Sequence, residues 1–117
     1  MATILVLDDD QVILELLQTV LTEAGYETIV AATPEAMPAE ASVDLVLTDL
    51  FALMVYQRDD AMRWVASLRS RFGGVPVFVL TGHRSAAAEA DRLGADAIIS
   101  KPFDVDFLLG KISEVLR

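Results

Sequence analysis

Four polar groups in this chain stand directly after short apolar runs, where side chains can do chemistry. Asp8-Asp9-Asp10 follows Ile4–Leu7, and Thr48-Asp49 follows Val43–Leu47. Thr81-Gly82 follows Val75–Leu80, and Ser100-Lys101-Pro102 follows Ala95–Ile99. Carboxylates crowded into one small site repel, and at least one has its pKa raised unless a cation neutralises them. A hard divalent ion suits such oxygen donors, and Mg2+ typically takes one or two carboxylates plus waters and phosphate oxygens. A lysine ammonium can pair with a carboxylate at rest and bind a phosphoryl oxygen later. A threonine hydroxyl can donate to the same kind of oxygen. Together these parts suit phosphoryl transfer to an aspartate. The carboxylate is the nucleophile, while metal and lysine stabilise charge on the transferring group.

That chemistry requires the groups to converge, which depends on the elements that carry them. The four runs and a fifth, Thr28–Ala31, are mostly rich in Val and Ile and lack period-two alternation. Continuous apolarity predicts strands buried on both faces, the mark of a parallel sheet covered by helices. Between the runs lie helical patterns. Val12, Ile13, Leu16, Leu17, Val20, Leu21 and Ala24 recur at helical spacing before a stop at Gly25. A short segment follows Thr33, with Pro34 at the expected first helical position. A third stripe spans Ala61 to Phe72 and closes at Gly73-Gly74. Ser85–Leu93 is rich in alanine, and Phe107, Leu108, Ile112, Val115 and Leu116 mark the last helix. Five strands and five helices in strict alternation predict right-handed crossovers and a three-layer α/β sandwich. The expected fold is doubly wound and flavodoxin-like, a five-stranded parallel sheet of order 2-1-3-4-5. Ligands then bind beyond the carboxyl ends of strands 1 and 3. In that order Asp8, Asp9 and Asp49 share one pocket, with Lys101 and Thr81 reaching in from the other side. The second strand ends in Ala31-Ala32-Thr33 and offers little.

These residues resemble the receiver domains of bacterial response regulators, the phosphoacceptor proteins of two-component systems. The likeness covers the whole chain, from Ile4-Leu5-Val6-Leu7-Asp8-Asp9-Asp10 through Gly94-Ala95-Asp96-Ala97 to Lys101-Pro102-Phe103. Any one element is weak; the set in this order and spacing is highly specific. The resemblance implies Asp49 as phosphoacceptor, Asp8 and Asp9 as acidic residues of an Mg2+ site, Thr81 as switch hydroxyl and Lys101 as phosphate-binding lysine. It implies a histidine kinase or histidine phosphotransfer protein as phosphodonor. A downstream protein or output domain would meet the face made by the fourth helix, fifth strand and fifth helix. The alanine face of Ala86, Ala87, Ala88 and Ala90, flanked by Arg84 and Arg92, belongs to that surface by resemblance only. Residues 1–117 are expected to form a single receiver domain, a signalling switch that assists only its own phosphorylation and dephosphorylation.

Two departures stand out. After the phosphoacceptor the family usually reads Asp-x-x-Met-Pro-x-Met-Asp-Gly. Here Leu53 replaces the proline and Tyr56-Gln57 replaces the Asp-Gly turn. The residues that would fix that backbone are missing, which predicts a differently shaped loop. Phe51 stands where the family's backbone carbonyl ligates the metal, a contact independent of side-chain type. Its bulk is expected to shield the phosphoryl group from water and lengthen the phosphorylated state. Ile98 stands three residues before Lys101, where the family often has an aromatic that swings inward. A β-branched aliphatic cannot copy that rotamer change.

Composition narrows the remaining classes. The chain has 117 residues, with 9 Lys plus Arg against 18 Asp plus Glu and a formal charge of -9. Nucleic acid and anionic membranes both call for a basic footprint, so neither is an expected partner of this domain. There is no cysteine, which excludes thiolate metal sites and a cysteine nucleophile. No apolar run approaches the ~18 residues of a membrane span, and the N-terminus lacks the basic region of a signal peptide. The expected location is the cytoplasm. Among single residues, Asp10 is read as the cap of the first helix, and Asp59-Asp60 as a complement to the third helix dipole. His83 is read as an exposed loop residue, Trp64, Met54 and Met62 as packing, and Lys101-Pro102 as a candidate cis peptide. The alternative function is a receiver-fold interaction module with atypical or phosphorylation-independent regulation. An aspartate-nucleophile phosphatase of the haloacid dehalogenase type fits Asp8 and Asp10 loosely but leaves Asp49 unexplained. A flavin mononucleotide carrier is disfavoured, because the acidic turn after the first strand would repel the cofactor phosphate.

Overall fold

The computed structural model describes residues 1–38, 41–50, 58–82 and 94–116. Five parallel strands form one sheet: β1 (Thr3–Leu7), β2 (Glu27–Ala31), β3 (Leu45–Thr48), β4 (Val77–Thr81) and β5 (Ala97–Ser100). Their order is β2-β1-β3-β4-β5, as the alternation predicts. The helices are α1 (Gln11–Glu23), α2 (Arg58–Arg71) and α3 (Val105–Val115). No helix among the described residues is long and apolar enough to cross a membrane.

Alternation along each strand feeds two cores. Leu5, Leu7, Val46, Val77 and Val79 pack with Ala61, Val65 and Leu68 of α2 on one face. Ile4, Val6, Leu45, Leu47, Phe78 and Leu80 pack on the other with Leu14, Leu17 and Leu21 of α1 and Leu108 and Ile112 of α3. Both sheet faces are covered, which is why the strands read as unbroken apolar runs. α1 opens on Asp10, whose carboxylate accepts from the Val12 and Ile13 N–H groups, the capping role expected of it.

The last three strands begin and end later than the apolar runs suggest. At their entries, aspartates hold the backbone: Asp44 accepts from the Thr3 N–H at 2.8 Å and Asp96 from the Val77 N–H at 2.8 Å. At their exits, polar residues continue the ladder, with Leu7 opposite Thr48 and Thr81 opposite Ser100. The polar ends therefore belong to the strands and take their rigidity.

The second helix is a correction. Among the described residues between β2 and β3 there is only a single 3-10 turn, Pro34–Ala36, capped by Thr33. Pro38 disfavours helical backbone at Met37, which is extended with ψ 137°. The predicted helix over Ser85–Leu93 lies outside the described residues. The α1 stripe is also narrower than its apolar residues, because one helical face meets the sheet: Val12 is 73% exposed and Leu16 is exposed too. Phe107 and Met62 are likewise exposed, so Met62, read as packing, is corrected to an exposed residue of α2.

Candidate functional site

The crossover that places β3 beside β1 brings the two acidic strand ends together. Asp8 follows β1, its N–H held by the Ala31 carbonyl at 3.2 Å. Asp49 follows β3, its N–H held by the Leu7 carbonyl at 2.7 Å. Oxygen atoms of Asp8, Asp9 and Asp49 can all lie within 4.8 Å of one another. Asp8 is buried, Asp49 half-buried and Asp9 exposed, so the cluster opens to solvent on the Asp9 side. The donor set is all oxygen and fits a hard divalent cation.

Lys101 enters from β5. Its N–H donates to the Thr81 carbonyl at 2.8 Å, and the Lys101–Pro102 peptide is cis. Its ammonium donates to Asp8 Oδ2 at 2.7 Å and lies 3.4 Å from Asp49 Oδ1. Asp8 Oδ1 also accepts the Asp10 N–H at 2.9 Å. Thr81 closes β4, between the strand that carries Asp49 and the strand that leads to Lys101, with its side chain buried. Asp8, Asp9, Asp49 and Lys101 thus meet, and Thr81 occupies the neighbouring strand end. Phe51, His83 and the loop containing Leu53, Tyr56 and Gln57 lie outside the described residues, as do the Ala86–Ala90 face and Met54. Ile98 is partly buried against the core on the α2 side.

A family model for the response regulator receiver domain matches residues 4–113. The chain belongs to that family. This receiver domain is 33% identical over 121 residues to the transcriptional regulatory protein GlrR of Escherichia coli K12, covering 99% of this chain and 26% of that protein. It is 34% identical over 128 residues to the transcriptional regulatory protein GltR of Pseudomonas aeruginosa, covering 98% of this chain and 49% of that one. The chain therefore spans about a quarter to a half of these curated relatives. Among solved structures it is similar to response regulator protein TrrA of Thermotoga maritima, described in complex with Mg2+ and BeF. That match has TM-score 0.78 and 28% identity, and covers 99% of this chain and 100% of the other. The receiver domain is a signalling module of two-component systems.

The receiver's electrostatics follow from its geometry. Burial raises the Asp49 pKa above the ordinary aspartate value, and the Asp8 charge adds to the rise. The Lys101 charge and the nearby Leu50 N–H oppose it without cancelling it. For Lys101, burial alone would lower the pKa. The hydrogen bond to Asp8 and the charges of Asp49 and Asp8 outweigh burial and hold it above the ordinary lysine value. Three carboxylates against one ammonium leave the receiver's site formally short of positive charge.

One pair was not legible as part of the site. The Trp64 indole N–H donates to Thr48 Oγ1 at 2.9 Å, and Thr48 Oγ1 donates to the Asp49 carbonyl at 2.7 Å. Trp64 in an apolar stripe reads as packing. The signal was Thr48 itself, a hydroxyl closing an otherwise apolar strand one residue before Asp49.

Proposed function

We propose that Asp49 accepts the phosphoryl group in this receiver domain. The observation that carries the reading is the Lys101 ammonium bridging Asp8 and Asp49 within a three-carboxylate cluster. An Asp49 carboxylate oxygen attacks the phosphorus of a phosphohistidine on a histidine kinase or histidine phosphotransfer protein. The phosphorus–nitrogen bond breaks, an acyl phosphate forms on Asp49, and the imidazole leaves. Lys101 holds Asp49 in place before transfer and binds a phosphoryl oxygen after it. Thr81 offers its hydroxyl to another phosphoryl oxygen. Asp8, Asp9 and Asp49, with the Phe51 backbone carbonyl, would hold Mg2+. When bound, the ion supplies positive charge against the phosphoryl oxygens.

The output is a change in partner binding. The relatives' names point to an output domain that regulates transcription. The acidic receiver itself supplies no basic footprint for nucleic acid, and the module works in the cytoplasm. With Ile98 in place of an aromatic, a rotamer swing at that position does not carry the signal.

The test is incubation with Mg2+ and acetyl phosphate, followed by intact mass. The wild-type chain is expected to gain one phosphoryl group, Asp49→Asn none, and EDTA to abolish the gain. The acyl phosphate is expected to outlast minutes and to decay faster in Phe51→Ala. A chain that gains no phosphoryl group and does not respond to BeF3− would point instead to a receiver fold kept for protein interaction alone.

A further inference from the structure

The Thr48 hydroxyl is completely buried and has a single hydrogen. The Trp64 indole is a donor only, so at 2.9 Å it must occupy a lone pair of Thr48 Oγ1. The Thr48 hydrogen is thereby directed to the other close partner, the Asp49 carbonyl at 2.7 Å. That carbonyl belongs to the Asp49–Leu50 peptide, whose plane is rigid. The far side of the same plane carries the Leu50 N–H, whose polarity favours the ionised Asp49 carboxylate. Fixing the carbonyl fixes the N–H.

We infer that Thr48 and Trp64 are positioning residues that clamp the Asp49–Leu50 peptide plane, aiming the Leu50 N–H at the carboxylate oxygen region where phosphoryl transfer takes place. The inference rests on Asp49 being the phosphoacceptor. A buried threonine with satisfied hydrogen bonds serves stability alone in many strands. Here the chain of donors instead ends on the backbone of the reacting residue. A pre-aimed N–H costs no reorganisation as charge develops on the transferring group. The clamp also ties the site to α2, since Trp64 sits nearly two turns inside that helix and Thr48 ends β3. A shift of the 49–50 plane on phosphorylation therefore reaches α2 through two hydrogen bonds.

Three variants test this with acetyl phosphate and Mg2+. Thr48→Val keeps the shape and removes the hydroxyl; it is expected to slow phosphoryl uptake about tenfold, equivalent to about 1.4 kcal/mol in the barrier. Thr48→Ser keeps the hydroxyl and is expected to stay within about twofold of wild type, a rescue that side-chain volume alone would not give. Trp64→Phe is expected to fall between them, because the hydroxyl survives but is no longer directed. It carries the test if Thr48→Val does not fold. The single tryptophan gives one indole N–H resonance. That resonance should move when Mg2+ and BeF3− are added to wild type and stay still in Thr48→Val. If Thr48→Val lowers the melting temperature but phosphorylates at the wild-type rate, the clamp is refuted while the Asp49 reading stands. If wild type takes up no phosphoryl group, both fall.

Discussion

Replacing Lys101 by methionine removes the ammonium while keeping an unbranched stem of similar reach. The Asp8 carboxylate, 1% exposed, would keep only the Asp10 N–H of its two described partners. It would also face Asp49 with no cation between them. Removing one partner of a buried ion pair typically costs about 3–5 kcal/mol. Here the cost has a ceiling, because a stranded carboxylate can take up a proton instead. That escape costs about 1.4 kcal/mol per pH unit above an ordinary aspartate value of about 3.9, so about 4 kcal/mol at pH 7 and about 1.5 kcal/mol at pH 5. Lys101 is 19% exposed, so solvent already screens part of the pair. The expected loss at pH 7 is therefore about 2–3 kcal/mol, or roughly 4 °C of melting temperature per kcal/mol for a domain of this size. Metal-free thermal and urea melts of both proteins at pH 7 and pH 5 give the comparison. The bridge keeps its full contribution through the neutral range. The raised Lys101 pKa means that this contribution is lost only as pH climbs past the ordinary lysine value. Adding Mg2+ should narrow the gap if the variant, lacking the competing ammonium, binds the ion more tightly than wild type, by about 1.4 kcal/mol for each tenfold difference in dissociation constant at saturating ion. A Lys101→Met protein as stable as wild type at pH 7, or one whose deficit does not shrink by pH 5, would refute the reasoning.

Two further outcomes follow from the same geometry. Because the folded pKa of Asp49 is raised, ionised Asp49 weakens the fold as pH rises through that value. Metal-free Asp49→Asn should therefore melt higher than wild type at pH 7, with the gain vanishing below the ordinary carboxylate range; a lower melting temperature at pH 7 would contradict the sign. Asp10→Ala should cost about 1 kcal/mol by uncapping α1, read as a small drop in urea midpoint with phosphoryl uptake unchanged, since the Asp10 N–H that holds Asp8 survives the substitution.

The sheet was legible because continuous Val- and Ile-rich runs report burial on both faces, and burial is what a parallel sheet imposes. The site was legible for a different reason. Its residues are polar and sit where those runs stop, so topology alone converts Asp8, Asp49 and Lys101 into neighbours. What escaped depended on partners distant in sequence or on local backbone competition. An apolar stripe does not say which of its residues meets the sheet: Val12 and Leu16 share the stripe with Leu17 and Leu21 but stay exposed, while Leu14, outside that stripe, is buried. Pro34 was read as a helix start, while Pro38 acts four residues later to stop anything longer than one 3-10 turn. Trp64 finds Thr48 across 16 residues of sequence, and no periodicity encodes that bond.

The unequal grip of Lys101 links resting structure to function. The ammonium sits 2.7 Å from Asp8 but 3.4 Å from Asp49, so the buried carboxylate receives most of its compensation. Asp49 is left with the larger share of uncancelled burial and repulsion, in keeping with its raised pKa. Burial and the Asp8 charge thus both act against the ionised form of Asp49, the form whose lone pair must attack. Positive charge arriving at the open, Asp9 side of the cluster would offset both the burial cost and the Asp8 repulsion, favouring the ionised form when the phosphodonor is to be engaged. On the proposed reading, acceptance by Asp49 is therefore expected to depend on a cation. That dependence would come from electrostatics already present in the metal-free fold, with Lys101 shared unequally between Asp8 and Asp49 until a phosphoryl oxygen competes for it.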